Sequence, residues 1–171
     1  KGGDVFVAVE GTTYDGHNFI EQAAANGAKY IVCQKACHCK GGEIILVDDS
    51  ARAAGVLAQA ARGNPASRLI NLAVTGTNGK TTITFLVRSC IRSAGFKCGL
   101  IGTIIYDTGI SCSDAPLTTP DCLTIAEKQR EMVEAGAKYM VIEASSHALS
   151  QNRLAGVNFR AAAFTNLTGD H

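Results

Sequence analysis

Gly76-Thr-Asn-Gly-Lys80-Thr-Thr82 follows the apolar run Leu69-Ile-Asn-Leu-Ala-Val74 and opens a segment with helical periodicity. Glycines there let backbone N–H groups converge on phosphate oxygens, and the start of a helix adds a favourable dipole. A lysine and a hydroxyl at this spacing have defined uses. Lys80 can set its ammonium beside terminal phosphates, and the Thr81 hydroxyl can ligate Mg²⁺. The common phosphate-loop pattern wants a glycine where Val74 stands; here Gly76 lies three residues before Gly79 instead. Glu143 is the second chemical candidate, because it ends the apolar run Tyr139-Met-Val-Ile142. A carboxylate at the carboxyl end of a parallel strand faces the crevice where open α/β sheets bind ligands. Mg²⁺ is hard and prefers such oxygens together with phosphates. Arg153 suits a carboxylate or a pyrophosphate, since its guanidinium donates in a fork.

These residues need a scaffold, and the pattern predicts one. Strands are expected over Asp4–Val9, Tyr30–Cys33, Glu43–Val47, Leu69–Val74, Lys97–Ile101, Lys138–Glu143 and Arg160–Thr165. Helices fall between them. One is expected from Asn18 to Asn26, with Asn18 and Glu21 at capping-box spacing and Gly27 ending it. An Ala-rich helix capped by Ser50 is expected to reach about Arg62. Ile83, Leu86, Val87, Cys90, Ile91 and Ala94 form one apolar helical face. Thr119-Pro120 has the form of a cap followed by proline at the first helical position, with Gly136 as the stop. Alternating strands and helices imply an α/β fold with a mainly parallel sheet covered by helices. Gly63-Asn-Pro-Ala-Ser67 is the linker candidate, dividing a domain over residues 1–68 from one over 69–171.

Composition removes other classes. The chain has 171 residues, 16 Lys+Arg against 15 Asp+Glu, and thus a net charge of +1. No basic excess points to nucleic acid, and no apolar stretch approaches the ~20 residues of a membrane span. Hydrophobic residues at 46% and charged ones at 18% suit a globular core. Seven cysteines without a secretory leader are expected to be reduced thiols of a cytoplasmic protein. Cys33, Cys37, His38 and Cys39 raise a zinc reading, but no second ligand pair stands at a recognised finger distance. The chain starts at Lys1 without a methionine and stops at His171 straight after an apolar run, so both ends are expected to be interior points of a longer protein.

The Gly-Thr-Asn-Gly-Lys-Thr-Thr loop resembles that of the Mur ligase superfamily. Gly3-Asp-Val-Phe-Val-Ala-Val-Glu-Gly11 with Asp15-Gly16 is similar to the first domain of its MurE-type members. So are Thr118-Thr-Pro120, Glu143-Ala-Ser-Ser-His147, Gln151-Asn-Arg153 and Phe164-Thr-Asn-Leu-Thr-Gly-Asp-His171, all in the family's order. The resemblance implies part of a substrate-binding α/β domain, then the first half of an ATPase domain. It implies ATP-dependent addition of a third amino acid, lysine or diaminopimelate, to UDP-N-acetylmuramoyl-L-alanyl-D-glutamate through an acyl phosphate. It implies ATP binding by Gly76, Thr77, Asn78, Gly79, Lys80, Thr81 and Thr82, with Lys80 catalytic. It implies Mg²⁺ at Thr81 and Glu143, with His171 at a second metal position. It places Thr118, Thr119, Ser145, Gln151 and Arg153 on the nucleotide-sugar substrate and Thr12, Thr13 and Tyr14 in a uridine-side loop. His147 belongs to the Ser-Ser-His segment without an assigned role. The competing readings are another ligase of the superfamily, of folylpolyglutamate or cyanophycin type, and a phosphate-loop domain without ligase activity. The segment from Gly3 to Gly16 argues against the former, and Glu143, the Thr118–Thr119 pair and Arg153 against the latter.

Overall fold

A computed structural model describes residues 4–168 and divides the chain into two compact units, Lys1–Ala54 and Gly55–His171. In the first unit β1 (Val5–Val7), β2 (Tyr30–Cys33) and β3 (Glu43–Leu46) form a parallel sheet in that order. Ile31, Val32 and Cys33 are buried, as expected for a continuous apolar strand with partners on both sides. Helix α1 (Ile20–Ala25) places Ile20 and Ala24, four residues apart, into the core with Ala8 and Ile31. The expected Asn18 cap is not formed. Residues Gly16–Phe19 are a 3-10 turn, and the Asp15 side chain accepts the His17 N–H at 2.9 Å. Aspartate already occupies the position where the chain turns into the helix, so Asn18 falls inside it.

Helix α2 (Ser50–Ala61) begins in the first unit and ends in the second. Its first-turn N–H, that of Arg52, is taken by Asp49 Oδ1 at 2.8 Å. Asp49 therefore does the capping expected of Ser50, which is buried with its hydroxyl on Gln34 Oε1 at 3.1 Å.

The second unit is built on a six-stranded sheet. Its strands are β4 (Ile70–Thr75), β5 (Cys98–Ile101), β6 (Ile105–Asp107), β7 (Cys112–Asp114), β8 (Tyr139–Glu143) and β9 (Phe159–Phe164), in the order β7-β6-β5-β8-β4-β9. The pairs β5–β8, β8–β4 and β4–β9 are parallel, so these four strands end at one edge; β6 and β7 add an antiparallel hairpin. Strand period decides what each face buries. Val74 and Val141 pack under Ile83, Val87 and Ile91 of α3 (Lys80–Ser93). Met140 and Ile142 point the other way, onto Ile125 and Met132 of α4 (Cys122–Glu134). The cap of α4 is Asp121, which accepts from Leu123 N and Thr124 N at 2.9 and 3.0 Å. Thr119 was expected there. Its side chain instead bonds the end of β8, and Asp121, in extended conformation at the helix start, caps in its place. A short helix α5 (Ser146–Ser150) follows β8, with Ser145 as its cap.

A buried amide chain fixes the expected linker to this sheet. Gln59 Nε2 donates to Gln129 Oε1 at 2.7 Å, Gln129 Nε2 to Asn71 Oδ1 at 3.1 Å, and Asn71 Nδ2 to the carbonyl of Ala66 at 2.9 Å. Each buried polar group thereby keeps a partner. Among the described residues no helix is long and apolar enough to cross a membrane.

Candidate active site at the carboxyl ends of four parallel strands

The loop after β4 turns at Gly76, whose φ of +127° suits glycine, and a Cβ there would lie 2.2 Å from Thr165 Oγ1. Gly79, at φ +85°, is the cap position of α3 and brings no side-chain cap bond. The first N–H groups of this 14-residue helix therefore face outward without a side-chain acceptor, as an anion site requires. The Lys80 ammonium folds back over the loop, donating to the carbonyls of Gly76 at 2.7 Å and Thr77 at 2.9 Å. An ammonium has three donors, so this grip holds the loop and leaves capacity for a phosphate oxygen.

Across the crevice Glu143 is fully buried at the end of β8. Its Oε2 accepts from the Thr81 hydroxyl at 2.9 Å, so the sequence's two metal candidates on either side of the crevice do meet. The donor set fits a hard cation: a carboxylate and a hydroxyl, oxygen only, beside helix N–H groups that would hold phosphate. Gly102 makes room for the carboxylate, since a Cβ there would lie 2.3 Å from Glu143 Oε1. His171, the third expected metal residue, lies outside the described residues. Among those described, no group of three or more His, Cys, Asp or Glu side chains is arranged to hold a metal. Cys33 and Cys37 in the first unit have their sulfurs 3.5 Å apart, and burial pushes the Cys33 thiol up to about 11.

The other expected substrate residues fall into two places. Thr118, Thr119, Ser145, Gln151 and Arg153 cluster around the end of β8. The Thr119 hydroxyl donates to the Glu143 carbonyl at 2.6 Å and accepts the Ser145 N–H at 3.0 Å. Arg153 donates through Nη1 to the Thr119 carbonyl at 2.8 Å and through Nε to Gln151 Oε1 at 2.9 Å. His147 is exposed on α5. Thr12, Thr13 and Tyr14 belong to the first unit. They form an exposed turn closed by the Gly11 N–H on the Tyr14 carbonyl at 2.9 Å. Its exit is pinned by Asp15, which the Lys35 ammonium and then His17 hold far below the usual carboxylate range.

Two residues at this edge escaped the sequence reading. Thr103, just after β5, gives its N–H to Glu143 Oε1 at 3.0 Å, and its hydroxyl lies 2.9 Å from Oε2. Asn166, just after β9, takes the Asn78 N–H on Oδ1 at 3.0 Å, while its carbonyl takes the Thr77 N–H at 3.0 Å. Each stands two residues beyond its strand, and although Asn166 lies in the Phe164–His171 motif, no local spacing gives either residue a role.

Comparison with known proteins agrees with this geometry. Residues 74–171 match the Mur ligase middle domain, and residues 1–69 match the domain described as "Mur ligase family, catalytic domain". The UDP-N-acetylmuramoyl-L-alanyl-D-glutamate–2,6-diaminopimelate ligases of Clostridium botulinum and Aquifex aeolicus are 42% and 44% identical. Each alignment covers 100% of this chain but 36% and 35% of the relative. The chain thus spans about a third of the length of these curated relatives. A solved ligase of the same name superposes over the whole chain with a TM-score of 0.81 at 29% identity, covering 35% of that protein. The MurF ligase of Thermotoga maritima in complex with ADP shares the fold, with a TM-score of 0.55 at 23% identity over 97% of this chain and 35% of its own. A phosphate loop facing a buried strand-end carboxylate thus lies inside a match that takes in more than half of the sequence, and the chain belongs to the Mur ligase family.

Proposed function

We propose that this chain is the acceptor- and nucleotide-binding part of an ATP-dependent ligase. The enzyme would add diaminopimelate to UDP-N-acetylmuramoyl-L-alanyl-D-glutamate in peptidoglycan synthesis. The observation that carries the reading is the Thr81 hydroxyl 2.9 Å from Glu143, directly beneath an uncapped helix start and Lys80. The relatives' names supply the substrates, including diaminopimelate in place of lysine. Residues 1–68 would bind the UDP end through Thr12, Thr13 and Tyr14, and residues 69–171 would bind ATP. All seven cysteines are thiols, which agrees with a reaction in the reducing, ATP-rich cytoplasm.

The chemistry divides between binding and charge control. The γ-phosphoryl group of ATP passes to the D-glutamate carboxylate, giving an acyl phosphate and ADP. The amino group of the incoming diamino acid then attacks the acyl carbon, loses its proton and expels phosphate. Such transfer is governed by positioning and electrostatics. Lys80 would neutralise charge on the transferring group, and the loop from Gly76 to Thr82 would hold the phosphates through the N–H groups that Asn166 does not occupy. Thr81 and Glu143 would hold Mg²⁺, which when bound neutralises the phosphate oxygens, with His171 completing a second metal position. Thr118, Thr119, Ser145, Gln151 and Arg153 would hold the nucleotide-sugar dipeptide so that its carboxylate meets the γ-phosphate.

The test uses the full-length protein with ATP, Mg²⁺, the UDP-muramoyl dipeptide and either diaminopimelate or lysine. The expected outcome is tripeptide and phosphate formed together, with diaminopimelate preferred. Lys80→Ala should lower kcat by about 10²–10³-fold, the scale of losing one transition-state donor, with an unchanged melting temperature. ATP turnover that ignores the dipeptide would instead indicate a nucleotide switch.

A further inference from the structure

Thr103 stands between two parts of the site that the reaction must bring together. Its hydroxyl oxygen lies 2.9 Å from Glu143 Oε2 and 3.1 Å from Thr118 Oγ1. One hydroxyl hydrogen serves one acceptor, and an ionised carboxylate is the stronger one. The Thr103 hydroxyl is placed to donate to either oxygen, so its one proton alternates between Glu143 Oε2 and Thr118 Oγ1 and favours the carboxylate. Thr103 thereby links Thr118 to Glu143 Oε2, which also receives Thr81 from the phosphate-loop side. The Thr103 N–H on Oε1 fixes the carboxylate's other oxygen. Gly102 permits this seat, as no residue with a Cβ could approach the carboxylate so closely. Main-chain bonds run in parallel, since Thr119 holds the Glu143 carbonyl and the Ser145 N–H. Thr103 itself is exposed, so its hydroxyl is not serving a core.

We propose that Thr103 is a positioning residue that couples the Thr118–Thr119 acceptor loop to the metal-binding carboxylate, so that acceptor and metal–nucleotide bind cooperatively. The inference rests on the ligase reading above, which assigns Thr118 to the acceptor and Glu143 to Mg²⁺. When the acceptor engages Thr118 Oγ1, the Thr103 proton is left to Glu143 alone, and that undivided bond fixes the carboxylate's orientation toward the cation. Linkage makes the effect reciprocal.

The experiment measures binding without turnover in the full-length enzyme. A non-hydrolysable ATP analogue is titrated with Mg²⁺, with and without the UDP-muramoyl dipeptide, the diamino acid being absent. In the parent the dipeptide should tighten analogue binding by about 5–150-fold, the usual range of coupling between sites. Thr103→Val keeps the shape and the N–H bond to Oε1 but loses the hydroxyl. It should bring that factor close to one and raise the Mg²⁺ needed for half-saturation roughly tenfold, the scale of a lost bond to a charged group. Thr103→Ser should restore both. Thr118→Val, read at saturating dipeptide because it also weakens acceptor binding, should lose the coupling without raising the Mg²⁺ requirement, and the double variant should lose no more of the coupling than either single one. Melting temperatures report that each variant is folded. A Thr103→Val enzyme that keeps the parent's coupling overturns the proposal and leaves the ligase reading standing. So does a parent that binds both ligands independently. A parent that binds neither the analogue nor the dipeptide overturns both.

Discussion

Asn166 braces from outside the loop that is proposed to hold phosphate. Its Oδ1 takes the Asn78 N–H, and its amide lies 3.2 Å from the Asn78 carbonyl. Thr165 Oγ1 donates to the same carbonyl at 2.7 Å. The outer limb of the loop is thus braced by the residues that leave β9. Asn166→Ala removes an acceptor and a donor, each worth ~0.5–1.5 kcal/mol net. It should weaken nucleotide binding by roughly 5–100-fold, measured by titration with an ATP analogue, while the melting temperature of the full-length protein stays near the parent's. Unchanged affinity would mean that the loop holds its shape unaided. Lys80, Thr81 and Glu143 were legible in the sequence because local spacing and a strand end define them. Thr103 and Asn166 were not, because their importance comes from β5 and β9 ending beside β8 and β4, and strand order is not written in local pattern.

At the level of elements, helix α4 shows what a single cap contributes. Asp121 accepts both Leu123 N and Thr124 N, and the Thr124 hydroxyl at 2.8 Å as well. Burial alone would raise its carboxyl, but these donors outweigh it and the carboxyl sits below its usual range. Asp121→Ala should cost ~0.5–2 kcal/mol of stability, read by denaturant unfolding, while Asp121→Asn should cost less because its side-chain oxygen still accepts. The major helices and the parallel strands were legible because their apolar periods are long. The hairpin β6–β7 was not. Cys112-Ser-Asp114 is exposed throughout, so no alternation marks it, and only its pairing to β6 makes it a strand. Thr119-Pro120 imitated a cap, and the distant end of β8 claimed its hydroxyl instead.

For the whole molecule, several carboxylates share one sign of shift. Asp15, held by Lys35 and His17, Asp121, held by the start of α4, and Glu127, held by Arg130, all lie below their usual ranges. Glu131 joins them, because Lys128, Ser111 and Thr108 outweigh its burial. A lowered folded-state value contributes stability above the unfolded value, near pH 4, and loses it as pH falls through the folded one. The melting temperature should therefore be flat from pH 7 to about 5 and drop progressively below about pH 4; a flat profile to pH 3 would show that these contacts contribute nothing. The strand order carries a different consequence, for synthesis. β1, β2 and β3 pair in the order in which they are made. β4 does not. Its two neighbours, β8 and β9, begin at Tyr139 and Phe159, long after Thr75 has left the ribosome. At ~5–20 residues per second the strand waits several seconds for both. During that interval Leu72 and Val74 have no sheet to enter, and the loop proposed to grip phosphate has neither Glu143 nor Asn166 to shape it. The proposed nucleotide pocket can therefore take shape only after β9 has arrived, so the loop becomes competent long after its own residues have been made.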